Sequence, residues 1–152
     1  MCRLFAAAGL SFDTATATLA DARRAAARRY GTPRLQALYN EGGQGRDPQQ
    51  ELWTVRGARV TPQVQLVDDP RDHDEHHVDH PLSGRHDTTD PAQRAQVDVH
   101  VTGTAQAADG WTAPVQPYQQ SCLLLADPVR GWLVDNVHTQ PLPMPEPTAG
   151  GN

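Results

Sequence analysis

The sequence predicts an α+β domain, with N-terminal helices packed on the concave face of a curved antiparallel sheet of about four strands. Three observations carry that expectation. Apolar residues in the first forty positions recur at helical spacing, and those of the second half alternate at strand spacing. Turn signals at 109–110 and 127–131 then join consecutive strands into a meander. At 152 residues the chain is long enough to bury one core. The expected domain spans 1–140.

Residues 4–39 read as helical pieces. "FDTATATLADARRAAARRY" offers Asp13 or Thr14 as N-cap, and Ala15, Leu19, Ala22, Ala26 and Tyr30 form one face. Arg23, Arg24, Arg28 and Arg29 fall largely off that face and read as a solvated surface. "GTP" at 31–33 stops this helix, and Pro33 suits the first turn of a short successor, "PRLQALYN". "EGGQGRDP" at 41–48 is a loop. "RVTPQVQLVDD" at 59–69 is a strand interrupted near Pro62. A polar segment at 70–93 follows, rich in histidine and charge. The clearest strand is "AQVDVHVTGTAQA" at 95–107, in which Val97, Val99 and Val101 alternate with Asp98, His100 and Thr102. "PVQPYQQSCLLLAD" returns as a longer strand, apolar enough for the sheet centre, and "WLVDNV" closes the meander. Four prolines between 141 and 147 mark residues 141–152 as an extended, disordered tail.

Composition narrows the function classes. Aromatic residues make up only 5%, so the core is expected to rest on alanine, valine and leucine. A net charge of −5 lacks the basic patch of a nucleic-acid-binding domain. Lysine and isoleucine are absent while arginine, alanine and proline abound, the bias of a GC-rich genome and of an actinobacterial source. No run approaches the roughly 18–20 apolar residues of a membrane span. "MCRLFAAAGL" makes a poor signal peptide, so the chain by itself reads as soluble. Whether Cys2 and Cys122 pair is open: a fraying terminus at Cys2 weighs against it, and Cys122 inside its apolar strand reads as a small core residue.

The order of helices, "RYGTPRLQALYN", a long polar loop and a closing meander resembles the nuclear-transport-factor-two-like cone fold. "VDVHVTGTAQAADGW" followed by "YQQSCLLLADPVRGWLVDNV" resembles the last hairpin of actinobacterial and Gram-positive conjugation-channel proteins and of mammalian-cell-entry-associated proteins. Trp132, Leu133, Val134 and Asp135 match that group's tryptophan–hydrophobic–valine–aspartate strand after a short turn. "FAAAGLSFD" and "YGTPRL" also suit it. The resemblance implies a non-enzymatic scaffold within a type IV secretion or envelope transport assembly, on the extracytoplasmic face of the membrane. It also implies a membrane-spanning helix just before the domain, a segment this chain does not contain.

Several motifs invite chemistry. In "HDEHHVDH", His73 and His77, and likewise His76 and His80, stand four apart, so a helical turn would place each pair as metal ligands beside Asp72, Asp74, Glu75 or Asp79. The segment has no apolar periodicity and Pro81 ends it, so solvated histidines are the expected reading and no metal is assigned. With His86, the same segment is a candidate pH sensor. Cone folds often enclose catalytic cavities, and the candidates here are Asp98 and His100, with Tyr30, Tyr39 and above all Tyr118. The valines are expected to face inward, leaving Asp98 and His100 on a wet outer face. A sheet turned the other way would make Asp98 a general base.

Trp53, Trp111 and Trp132 read as packing residues, with Trp111 after the turn as a candidate partner anchor. "EGGQGRD" lacks the lysine and preceding strand of a phosphate loop, and no catalytic serine or cysteine arrangement is assigned. No cofactor is expected. The favoured reading is an assembly domain that contacts other complex components and self-associates through sheet edges or helix faces. The alternative is a small-molecule-binding or isomerase-like cone.

Overall fold

The structure, a computed structural model, describes residues 1–42, 47–67 and 94–144. The candidate ligands His73, His76, His77 and His80, with the rest of the segment at 70–93, lie outside the described residues, as does 145–152.

Helix α1 (Cys2–Leu10) buries Cys2, Phe5, Ala6, Gly9 and Leu10, a stripe at steps of three, one, three and one that covers one helical face. The chain does not continue into the next helix as expected. Phe12–Asp13 forms a short strand, β1, opposite Val60 and Arg59, and the Asp13 carboxylate accepts from the backbone N–H of Ala15. The N-cap of α2 (Leu19–Tyr30) is therefore Thr18, not Asp13 or Thr14. Thr18 and Asp21 exchange side-chain-to-backbone bonds as a capping box. Helix α2 buries Leu19, Ala22, Ala26 and Ala27, while Ala15 precedes it. Thr32 caps α3 (Pro33–Glu41), with Pro33 in its first turn. A further helix, α4 (Pro48–Arg56), follows the expected loop in a stretch to which the sequence reading gave no element. Asp47 caps it, and Gly57 ends it at φ 59°.

The sheet is strongly curled and has six strands among the described residues, not about four. Its main path runs β1, β2 (Arg59–Leu66), β3 (Arg94–Gln106), β5 (Tyr118–Asp127), β6 (Gly131–Pro141), all antiparallel, with β4 (Thr112–Pro114) also on β3. The two strands absent from the sequence reading, β1 and β4, are two and three residues long. Pro62 stays within β2 because β1 reaches only positions 59 and 60, leaving Pro62 on an edge that no described strand covers. The β5–β6 turn closes through Gly131 at φ 75°, with the Asp127 carboxylate accepting from the N–H groups of Val129 and Arg130. Those two bonds hold the Asp127 carboxyl below its ordinary range.

One bulge decides how β6 meets the core. Leu123 faces Asn136 and Leu124 faces Val134, so Asp135 is the extra residue. It breaks the alternation, and Leu133, Val134 and Asp135 are buried in succession. The core joins α1, α2, Leu35 and Trp53 to Val60, Val99, Val101, Ala105, Cys122, Leu124 and Val134 on the inner sheet face. β6 runs through Pro141, where the tail was expected to begin, and the next N–H, that of Leu142, donates to the Pro117 carbonyl at 2.8 Å.

Candidate functional site

Between the inner sheet face and the helices lies a cleft formed by two adjoining recesses that share Arg23, Tyr118 and Thr139. The wider recess, about 180 Å³, has apolar walls from Leu10, Leu19, Trp53, Val115 and Pro141, with Asp47 and Gln49 also lining it. The narrower one, about 110 Å³, is bounded by Phe5, Ala6, Gly9, Tyr39, Gln120 and Val137.

Local structure explains this gathering. Arg23 lies four residues after Leu19 and three before Ala26, at the border of the buried stripe of α2. Gly9 of α1 lies against its stem: a Cβ built there would stand 3.7 Å from Arg23 Cγ, an ordinary packing contact. Arg23 is thus half-buried at the cleft, not on the solvated arginine surface expected from sequence. Tyr118 opens β5, opposite Val101 on one side and Pro141 on the other. Tyr39 comes from α3, its ring 6.2 Å from that of Phe5. Burial pushes both phenols above their ordinary value of 10.0, and the nearby Arg23 guanidinium draws them back in part.

Beneath the narrow recess is a feature the sequence left open. Cys2 and Cys122 form a disulfide, each with no exposed surface, tying the first turn of α1 to the middle of β5. The terminus expected to fray is a staple point. Gln120, 4% exposed, donates from its amide to Cys122 Sγ at 3.5 Å and to Cys2 Sγ at 3.9 Å. At the other end of the sheet, the buried Asp135 carboxylate accepts from Thr32 Oγ1 and from Arg34 Nη1, both at 2.8 Å. Thr32 N–H also donates to the Val134 carbonyl, so the α2–α3 junction is fastened to the bulge.

The residues of the enzymatic alternative do not come together. Tyr118 lines the cleft, whereas Asp98 and His100 point to the opposite face of β3, away from the buried Val99 and Val101. There Asp98 Oδ2 accepts from Gln119 Nε2 at 3.2 Å, and Oδ1 is buried without a hydrogen-bond partner among the described residues. Tyr30 carries the Arg29 guanidinium over its ring at 5.2 Å. Trp53 packs in the core, 6.1 Å from Phe12, and its indole N–H has no partner among the described residues. Trp111 is half-buried with Arg56 over its ring at 5.5 Å. Trp132, expected to pack, is 38% exposed. Among the described residues no group of three or more histidine, cysteine or acidic side chains is arranged to hold a metal. No helix among them is long and apolar enough to cross a membrane.

No family model and no curated protein matches this chain. Its fold is similar to the crystal structure of an IcmL-like type IV secretion system protein from Legionella pneumophila. The match covers 95% of this chain and 90% of that one, with a TM-score of 0.54 and 13% sequence identity. The two share a fold.

Proposed function

We propose that this chain is a non-catalytic scaffold domain of a type IV secretion or related envelope-transport assembly, with a nuclear-transport-factor-two-like cone as its framework. The observation that carries the reading is the match to the IcmL-like protein, which spans the domain from end to end rather than one motif. The buried Cys2–Cys122 bond supports an extracytoplasmic position, because structural disulfides persist in oxidising compartments and are rare in the cytosol.

Two sheet edges supply the means of assembly. β2 has a partner on its outer side only at positions 59 and 60, and β6 has only the bridge from Gly31 to Val134 among the described residues. Positions 136–140 carry no lysine, arginine or acid, the charges that usually protect an open edge from pairing. An extended strand of another component, or of a second copy, adds there by main-chain hydrogen bonding.

The test is genetic. Deleting the gene in its native host is expected to abolish substrate transfer by the secretion machine without slowing growth, with restoration by the wild-type gene. The edge variant N136K/Q140K should accumulate normally yet restore little transfer. Undiminished transfer in the deletion strain would remove the scaffold reading.

A further inference from the structure

We propose that the tip of the β5–β6 hairpin and the C-terminal end of α2 form one surface that docks on an anionic lipid bilayer, with Val129 and Trp132 entering the headgroup layer and Arg28, Arg29 and Arg130 held by lipid phosphates. This goes beyond the scaffold reading and does not rest on it.

Two contacts bring these residues to one corner of the domain. Arg130 Nη2 donates to the Arg29 carbonyl at 3.0 Å, which fastens the tip to the last turn of α2. Gly31, just past that helix, bridges Val134, which follows Trp132 closely in β6. Here the hairpin presents apolar surface to solvent: Val129 is 91% exposed and Trp132 38%. Arg28, Arg29 and Arg130 are exposed as well, and none of them is ion-paired with a described carboxylate. Arg29 lies over the Tyr30 ring and Arg130 bonds a neutral carbonyl, contacts that leave both charges in place. Asp127 beneath the turn offsets one of these cations, so the corner is positive although the chain carries a net charge of −5.

The apolar tip decides among occupants. An acidic peptide or a nucleic-acid strand would use the cations and gain little from a valine at the point of a turn. A bilayer uses both, because tryptophan favours the headgroup level and arginines are drawn to an anionic surface. Entry leaves few turn donors unmet, since the N–H groups of Val129 and Arg130 already donate to the Asp127 carboxylate. The β6 edge at 136–140 lies farther along the strand, so a bilayer at the tip leaves it open to partner strands.

The experiment uses the whole chain and phosphatidylcholine vesicles with or without about 30% phosphatidylglycerol. Co-sedimentation is expected to show binding to the anionic vesicles alone, weakening as salt rises. At roughly fivefold per arginine, about 1 kcal/mol each, R28Q/R29Q should weaken binding about 25-fold. Val129→Asp, at a solvent-facing position, should abolish it. R56Q/R59Q removes the same charge at the opposite end of β3, where Arg59 faces Gln106, and should leave binding unchanged. Anionic vesicles should also shift the tryptophan emission of wild type to the blue, and not that of Trp132→Phe. Equal binding to both vesicle types, binding to neither, wild-type binding by R28Q/R29Q or Val129→Asp, an equal loss in R56Q/R59Q, or a blue shift that survives Trp132→Phe would each overturn the proposal. So would capture of poly-glutamate by the same arginines without vesicle binding, which would assign the corner to an acidic protein partner.

Discussion

Removal of the Cys2–Cys122 bond would release the first turn of α1 from the middle of β5. The two residues are 120 apart in sequence, so the cross-link closes almost the whole described chain into one loop. In the chain-entropy account a loop of about 120 residues withholds roughly 16 cal/mol/K from the unfolded ensemble, or about 4.9 kcal/mol at 25 °C. The variant C2A/C122A also strips the buried Gln120 amide of both sulfur acceptors. An unsatisfied buried donor costs about 1–3 kcal/mol, though sulfur is a weak acceptor and the lower end applies. Native-state relaxation offsets part of the entropic term, and we expect a net loss of about 4 kcal/mol, inside the range found for native disulfides. A domain of this size has about 5–15 kcal/mol in all.

Urea unfolding followed by circular dichroism measures this directly. With a slope near 2 kcal/mol/M, the midpoint of C2A/C122A should fall by about 2 M. The slope itself should rise, because the uncross-linked chain exposes more surface when it unfolds. Thiol titration of the denatured wild-type protein must find no free thiol. A midpoint shift below about 0.5 M with the bond intact in wild type would refute the reasoning, since the staple would then contribute almost nothing. Two titratable thiols in protein purified under air would refute the bond itself.

Other perturbations test other joints of the structure. Asp135→Ala deprives the buried Thr32 hydroxyl and Arg34 of their acceptor and should cost about 2 kcal/mol, whereas Arg34→Ala should cost under about 1 kcal/mol because that guanidinium is largely exposed; equal losses in urea unfolding would contradict this division. Gly103→Ala places a Cβ 2.8 Å from the Thr61 carbonyl oxygen, a backbone atom that cannot swing away, and should lower the same midpoint by an amount corresponding to about 1–3 kcal/mol. Alkaline pH should destabilise the fold through Tyr39 and Tyr118. Their folded-state values lie above 10.0, so stability is intact below pH 10.0 and falls as pH rises past it, where the unfolded chain gives up its phenolic protons first. The Y39F/Y118F variant should show a shallower decline, and an identical one would place the cause elsewhere.

Much of this architecture is legible because it repeats. Val97, Val99 and Val101 alternate over a long strand, and the inner face follows directly. The turns at Gly110 and Gly131 carry their own residues, both at positive φ. What escapes is what does not repeat. β1 and β4 are too short to alternate, and the extra residue at Asp135 turns one phase of β6 into the other. Helix α4 was recoverable: Asp47 and Pro48 at its start and Gly57 at its end are ordinary helix signals, masked by the glycine-rich stretch before them. The disulfide was not recoverable, since only the fold brings position 2 beside position 122. Arg23 was missed by grouping it with Arg28 and Arg29, although its spacing from Leu19 and Ala26 sets it at the edge of the buried stripe. The resemblance drawn from the final hairpin named a secretion machine, and the solved structure sharing this fold belongs to one.

The interior of the cone bears on binding against turnover. A hollow of this shape serves catalysis only if a group inside it exchanges protons near neutral pH. Here α1 fills much of the hollow, with Phe5, Ala6 and Leu10 in the same core as Val99 and Val101, and the Cys2–Cys122 bond fixes it there. The remaining cleft is lined by two phenols raised above 10.0, neither of which gives up its proton near pH 7. Asp47, the one carboxylate in its lining among the described residues, is exposed and engaged at the start of α4. Asp98 and His100, which would suit proton transfer, stand on the far side of the sheet. The proton-transfer set of the enzymatic alternative is therefore not assembled in this cleft among the described residues.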